Sequence, residues 1–183
     1  MLELQTERFT IRDLTIDDLE NQHKLMSDSI VMNYIQDIKK DTIEESKENL
    51  MMAINDIGSK NRKYYFFLIE EKTTKEFIGN IGYTVKQNTP YGKIVELGFF
   101  IEEKHWNKGY TTEAVKRVLK FAFEEGDVYR ITTGCAKENA ASERVMQKNG
   151  FIKEAEYKEI FLHDGKLKDR VEYRMLKYEW LRI

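Results

Sequence analysis

Residues 94–113 read IVELGFFIEEKHWNKGYTTE, and the fold turns on how this stretch divides. Ile94 to Ile101 carries consecutive apolar residues on both faces, which predicts a central strand of a sheet covered on both sides. A polar turn follows, and from Gly109 the period changes. Val115, Val118, Leu119, Ala122 and Phe123 recur at the spacing of an amphipathic helix, and Gly126 stands just past its end as a stop signal. A strand that feeds a helix through a short turn leaves backbone N–H groups without helical partners, with the positive end of the helix dipole behind them. Such a junction suits a phosphate or pyrophosphate.

Working outward, residues 2–13 alternate like a strand, and Thr15-x-x-Asp18 marks the start of a short helix with Leu19 and Met26 on one face. The capping box Thr42-x-x-Glu45 starts a second helix, with Ile43, Leu50, Met51, Ile54 and Ile57 at helical spacing. Tyr64 to Ile69 and Phe77 to Val85 read as strands before the central one. Val128 to Gly134 is a further strand, and Asn139 to Asn149 a helix with Asn139 as N-cap and Gly150 as stop. The tail, residues 151–180, reads as two strands joined at Asp164-Gly165. This order predicts an α/β domain with a mixed, mainly antiparallel sheet of about seven strands flanked by about four helices. The two strand–helix–strand steps are the places for parallel pairs. With no linker, repeat or low-complexity segment, residues 1–183 are expected to form a single domain.

The net charge of −2 gives no global attraction to nucleic acid or an anionic membrane, so a polyanion must be held by a local site. Cys135 is the single cysteine, so no intramolecular disulfide forms. No apolar run approaches the roughly 20 residues of a membrane span, and the first residues lack a signal-peptide core. A cytoplasmic protein, monomer or homodimer, is the expectation. His23, His105 and His163 are scattered without ligand spacing, so no metal is expected. Cys135 has no obvious histidine partner and reads as a buried thiol.

In the turn Trp106-Asn107-Lys108-Gly109-Tyr110-Thr111, a glycine at 109 lets a phosphate approach the backbone, with Lys104 and Lys108 adding positive charge. The spacing is not that of a Walker loop or of a dinucleotide fingerprint. In the next helix, Ser142 lies one turn from Met146 on the same face. Alternation puts Glu96, Gly98 and Phe100 on one face of the central strand. A carboxylate buried there would have a raised pKa and need a partner; the plainer alternative is an ion pair with a neighbouring strand. Gly98 is a place for a bulge that splays the strand.

The stretch EKHWNKGYTTEA resembles the acetyl-CoA pyrophosphate loop of the GCN5-related N-acetyltransferase (GNAT) superfamily, in its W-G-K-G-Y-A-T-E-A form. More narrowly, the chain resembles the ribosomal-protein N-terminal acetyltransferase branch. The opening LQTERFTIR, the strand ELGFFI before the loop, Asn139-Ala140-Ala141-Ser142 with Asn149-Gly150-Phe151, and the closing HDGKLKDRVEY agree in order and spacing. Asn107 and Thr111 stand where that family commonly has glycine and alanine. The resemblance implies the GNAT fold and acetyl transfer from acetyl-CoA, a cosubstrate, directly to a primary amine.

It also implies roles. The backbone of Asn107, Lys108, Gly109, Tyr110, Thr111 and Thr112 would hold the pyrophosphate, and that of Phe99, Phe100 and Ile101 the pantetheine arm. The N–H near Phe99 would face the thioester carbonyl. Asn139, Ser142 and Met146 would line the cofactor. Many members place a proton-donating tyrosine where Met146 stands, so Ser142 becomes the candidate partner of the leaving thiolate, with water as its competitor. Glu96 would activate the amine directly or through water. The acceptor is expected opposite the cofactor, between the first two helices and the closing hairpin, where Asp37, Asp41, Glu44 and Glu45 would attract a cation or merely face solvent. A protein N-terminus is the leading acceptor, a small molecule such as an antibiotic, polyamine or metabolite the alternative, and a non-catalytic acyl-CoA-binding protein the third possibility.

Overall fold

The computed structural model describes residues 1–163 and 165–182. The N-terminal stretch, expected as one strand, is two. β1 (Glu3–Gln5) and β2 (Phe9–Asp13) pair antiparallel, with Leu4 opposite Ile11. The Thr6 N–H donates to the Phe9 carbonyl at 3.0 Å and the Phe9 N–H to Thr6 Oγ1 at 2.8 Å, which closes a tight turn that alternation alone does not reveal. A 3-10 turn, Ile16–Asp18, leads into α1 (Leu19–Ser27), and α2 (Ile43–Asp56) starts at the expected box, where Thr42 Oγ1 accepts from the Glu45 N–H. β3 (Tyr64–Glu71), β4 (Phe77–Thr89) and β5 (Gly92–Ile101) follow as a meander. Then come α3 (Tyr110–Glu124), β6 (Val128–Ala136), α4 (Ala140–Lys148), β7 (Ile152–His163), β8 (Lys166–Leu176) and a short α5 (Lys177–Trp180). Of the expected Asp164-Gly165 turn pair, Asp164 lies outside the described residues; Gly165 has φ 70°.

The eight strands form one sheet in the order β1-β2-β3-β4-β5-β6-β8-β7. This is the α/β, mainly antiparallel architecture expected, with one more strand from the split N-terminus and one more helix at the end of the tail. Among the described residues only β5 and β6 pair in parallel. The second strand–helix–strand step supplies no parallel ladder, because β8 inserts between β6 and β7.

Hydrophobic side chains cover both faces. On one, Val115, Val118 and Leu119 of α3 pack over Phe67, Ile81, Val95, Leu97 and Ile131. On the other, Leu25 of α1 and Leu50 of α2 cover Leu68, with Phe100 against the same cluster. Period-two alternation along β5 therefore sends Leu97 to one layer and Phe100 to the other. No helix among the described residues is long and apolar enough to cross a membrane.

The functional geometry starts where the parallel ladder ends. It runs from Lys93 opposite Val128 to Glu96 opposite Thr132 and then stops. Beyond that, β5 stays with β4 as far as Ile101, while β6 stays with β8 as far as Ala136. The sheet is split into a V. The expected bulge at Gly98 is absent: Gly98 pairs regularly with Gly82, and the irregularities lie at Lys93/Ile94 and Val85/Gln87. β6 lies between β5 and β8 and pairs with both over residues 130–132; past Thr132 it keeps β8 and parts from β5, so the splay is a matter of strand pairing and not of a local kink at Gly98.

Candidate active site

Backbone polarity along β5 follows from one bond. The Glu102 N–H donates to the Ile78 carbonyl at 3.0 Å. In an antiparallel ladder the bonding direction alternates with each residue. The N–H and C=O of Phe100 and Gly98 are thus turned to β4, and those of Leu97, Phe99 and Ile101 to the opening. In keeping with that, the Val95 carbonyl accepts from Thr132 Oγ1 of β6 at 3.2 Å, and the Ile101 carbonyl accepts from the Trp106 indole N–H at 2.7 Å. The Phe99 N–H faces the V with no strand opposite it, and the Trp106 bond ties the loop to the end of β5.

Between Trp106 and α3 the backbone visits the left-handed region twice, at Asn107 (φ 61°) and Gly109 (φ 75°). Asparagine is among the residues that tolerate this region, which accounts for its standing where the resembling loop has glycine. Gly109 is the N-cap of α3 and offers no side-chain cap. Among the described residues the N–H groups of Asn107, Lys108 and Gly109 have no hydrogen-bond acceptor. Consecutive donors in left-handed turns, ahead of a 15-residue helix, form an anion-binding nest. Tyr110, Thr111 and Thr112 are the half-buried first turn of the helix. Lys104 is turned away, bonded to Glu76 (2.6 Å) and Glu102 (3.1 Å), while Lys108 hangs over the Tyr110 ring with its Nζ 6.0 Å from the centroid.

Across the opening, Asn139 caps α4: its Oδ1 accepts from the Ser142 N–H at 3.1 Å. Ser142 is half-buried, whereas Met146 is 1 % exposed in the α3-side core and presents almost no surface to a ligand. Cys135 is buried against this corner, its Sγ 3.8 Å from the Asn139 carbonyl. Burial pushes its thiol up to about 11, and the Ser142 hydroxyl offsets part of that rise.

Glu96 corrects an expectation. Its side chain is not buried but 42 % exposed, and it pairs with Lys86 Nζ of β4 at 2.6 Å. The neighbouring-strand ion pair is the observed arrangement: Glu96 sits on the last rung of the β5–β6 ladder, away from the α1/α2 cluster that holds Phe100. Glu96 keeps the face of Phe100, opposite α3.

On that same face lies a cavity of about 320 Å³ lined by Asn33, Tyr34, Glu138, His163, Lys166 and Lys168. It gathers the α1–α2 connection, the residue before the α4 cap and the closing hairpin. The acidic residues expected here are elsewhere. Asp41 pairs with Lys39, Glu45 closes the α2 box, and Asp37 and Glu44 are exposed. The one acid among the described lining residues, Glu138, accepts from Lys168 Nζ at 2.7 Å. Nothing in a single sequence marks these six residues as neighbours. Among the described residues no group of His, Cys, Asp or Glu is arranged to hold a metal ion.

Sequence reasoning also passed over Arg8 and Glu113. The Glu113 carboxylate, in the first turn of α3, accepts from the Arg8 backbone N–H (3.1 Å) and Nε (2.6 Å). Burial alone would raise its pKa, but hydrogen bonds from Thr6 and Arg8 outweigh that and hold it below the usual carboxylate value.

The acetyltransferase (GNAT) domain family model matches residues 8–152, and the chain belongs to this family. It is similar to the N-acetyltransferase YnaD of Bacillus subtilis (strain 168), 28% identical over 98% of this chain and 99% of that one. It is also similar to the ribosomal-protein-serine acetyltransferase of Escherichia coli (strain K12), 30% identical over 49% of this chain and 50% of that one. A GNAT-family acetyltransferase from Bacillus anthracis superposes with TM-score 0.81 at 29% identity, covering 97% and 99% of the two chains. A spermidine N-acetyltransferase from Vibrio cholerae, in complex with CoA and spermine, shares the fold with TM-score 0.84 at 22% identity over 96% and 99%. The protein is an acetyl-CoA-dependent N-acetyltransferase of the GNAT type.

Proposed function

We propose that residues 1–183, acting as one N-acetyltransferase domain, move the acetyl group of acetyl-CoA directly to the α-amine of a protein N-terminus. The observation that carries the transfer chemistry is the split between β5 and β6, flanked by the unpartnered N–H groups of residues 107–109. The pyrophosphate of acetyl-CoA fits that nest, with Tyr110, Thr111 and Thr112 behind it. The pantetheine arm fits the edge from Phe99 to Ile101 as an added strand, with the Phe99 N–H and C=O facing it and the Ile101 carbonyl already taken by Trp106. The acceptor nitrogen attacks the thioester carbonyl, a C–N bond forms and the C–S bond breaks. The Phe99 N–H stabilises the oxyanion in between. The sulfur takes a proton from Ser142 or from water at the Asn139 cap.

The nature of the acceptor follows from proton arithmetic. An α-amine, with pKa about 7.7–8.0, is roughly a tenth neutral at pH 7, whereas a lysine-like amine near 10.4 is neutral in only about 1 molecule in 2,500. Glu96, half-exposed and paired with Lys86, would take up the amine proton through water. It suffices for the first kind of amine and not for the second. The cavity at the closing hairpin is the acceptor's place on that face. Among the described lining residues two lysines stand against one glutamate that is already paired, which favours a single amine over a polycation.

Similarity to a ribosomal-protein-serine acetyltransferase supports the protein N-terminus. The shared fold with a spermidine N-acetyltransferase supports the second reading, a small-molecule amine such as a polyamine. A panel of N-terminal peptides, polyamines and small amines with acetyl-CoA, read by thiol release, separates the two. Turnover of peptides with a free α-amine is expected; turnover confined to polyamines or other small amines overturns the proposal.

A further inference from the structure

We infer that Arg8 is a positioning residue for the anion-holding loop, turning the Lys108–Gly109 peptide so that its N–H faces the pyrophosphate. The inference rests on the reading above that this loop holds the pyrophosphate of acetyl-CoA. The tight turn from Thr6 to Phe9 sets Arg8 at the tip of the β1–β2 hairpin, against the start of α3. All three guanidinium nitrogens are engaged. Nε and Nη2 each lie 2.6 Å from Glu113 Oε2, and Nη1 donates to the Lys108 carbonyl at 3.2 Å. The guanidinium also lies 4.5 Å above the Tyr110 ring centroid, a cation–π distance. With each of its three nitrogens bonded to protein, Arg8 acts on the anion through the loop it holds.

Lys108 stands between two left-handed residues, Asn107 and Gly109. Glycine admits both orientations of the adjoining peptide at little steric cost, so this is the plane most free to flip. In a trans peptide the C=O and N–H point in opposite directions. With the Lys108 oxygen held by Arg8, the Gly109 N–H is turned away from Arg8, toward the nest. A flipped plane would remove that donor and bring a carbonyl oxygen toward an anion. Arg8 has a second effect. Glu113 is a carboxylate in the first turn of the helix, where its charge opposes a bound pyrophosphate, and Arg8 neutralises it. As a fold contact alone the pair is partly exposed and contributes little.

The test is calorimetric titration of the full chain with CoA and with dephospho-CoA, which keeps the pyrophosphate and lacks the 3′-phosphate. Arg8→Ala is expected to weaken both about tenfold and by the same factor, with a melting temperature within a few degrees of wild type. Arg8→Lys, which keeps the charge but cannot span Glu113 and the Lys108 carbonyl together, recovers only part; should Arg8→Ala fail to fold, this variant carries the test. Wild-type affinity in Arg8→Ala, or a loss confined to CoA, overturns the inference, the latter because it places Arg8 on the 3′-phosphate. Gly109→Glu strains the left-handed N-cap and starts a bulky anion 3.8 Å from Arg8 Nη2, at the edge of the nest. If it leaves CoA binding intact, the loop reading itself fails; if it abolishes binding while Arg8→Ala does not, only the role of Arg8 falls.

Discussion

Ser142 and Cys135 share one corner but differ in chemical prospects. The thiol is pushed up to about 11 from an ordinary value near 9, so at pH 8 about one molecule in 1,000 is thiolate, against about one in ten for an unperturbed thiol. Iodoacetamide labelling of the folded protein at pH 8 should therefore run about 100-fold slower than labelling of the urea-unfolded chain; equal rates would show the thiol to be open. Ser142 is half-buried and held by the Asn139 cap. Ser142→Ala should lower kcat about tenfold to a hundredfold with little change in the KM for acetyl-CoA if the hydroxyl protonates the leaving sulfur. A wild-type kcat assigns that proton to water. Glu96 is separable by pH, because an amine needs a base most where it is most protonated. Glu96→Gln should lose more turnover at pH 6.5 than at pH 9, whereas an equal loss at both would leave Glu96 as the partner of Lys86 and nothing more.

At the scale of elements, the entry to α1 is secured by one carboxylate. Asp18 accepts from Arg12 Nη1 and Nη2 at 2.9 and 2.8 Å and from the Thr15 N–H at 2.7 Å. Burial pushes its pKa up, yet the hydrogen bonds from Arg12 and Thr15 outweigh burial and leave it lowered. A folded pKa below the unfolded one means stability that is present above about pH 4 and lost as pH falls through and below that range. Asp18→Asn should cost about 2–3 kcal/mol in urea unfolding at pH 7, and the gap from wild type should shrink at pH 3. A gap independent of pH would show that the charge is immaterial. The β5–β6 split is likewise a property of elements. A Cβ on Gly98 would meet nothing closer than the Phe100 ring at 3.7 Å, so that glycine is not what opens the sheet.

The whole molecule divides its labour by face. The nest and the free edge of β5 lie at the split, while the α1/α2 side carries Glu96 and the lysine-lined cavity. Three distant segments meet there: residues 33–34, residue 138 and the closing hairpin. If the acceptor passes through it, Lys166→Glu should leave CoA affinity unchanged and shift the preference between a peptide and spermidine toward spermidine by about fivefold, the size of one exposed charge interaction. An unchanged preference in the same thiol-release panel would take the cavity out of the acceptor's path.

What the sequence determined by itself is what local physics decides. The change of period at Gly109, the cap at Asn139, the box at Thr42 and the anion-suited turn are written in neighbouring residues, since helices, caps and turns are made by bonds over a few positions. Pairing across the sheet is different, because a strand's partner and a carboxylate's burial depend on what packs beside them. Only the tertiary structure set β8 on the far edge of β6 and parted β6 from β5 beyond Thr132. It alone exposed Glu96 to Lys86 and brought Arg8 to Glu113, 105 residues away. The loop that holds an anion is legible in twenty residues; the arginine set to orient it becomes visible only when the chain has folded back on itself.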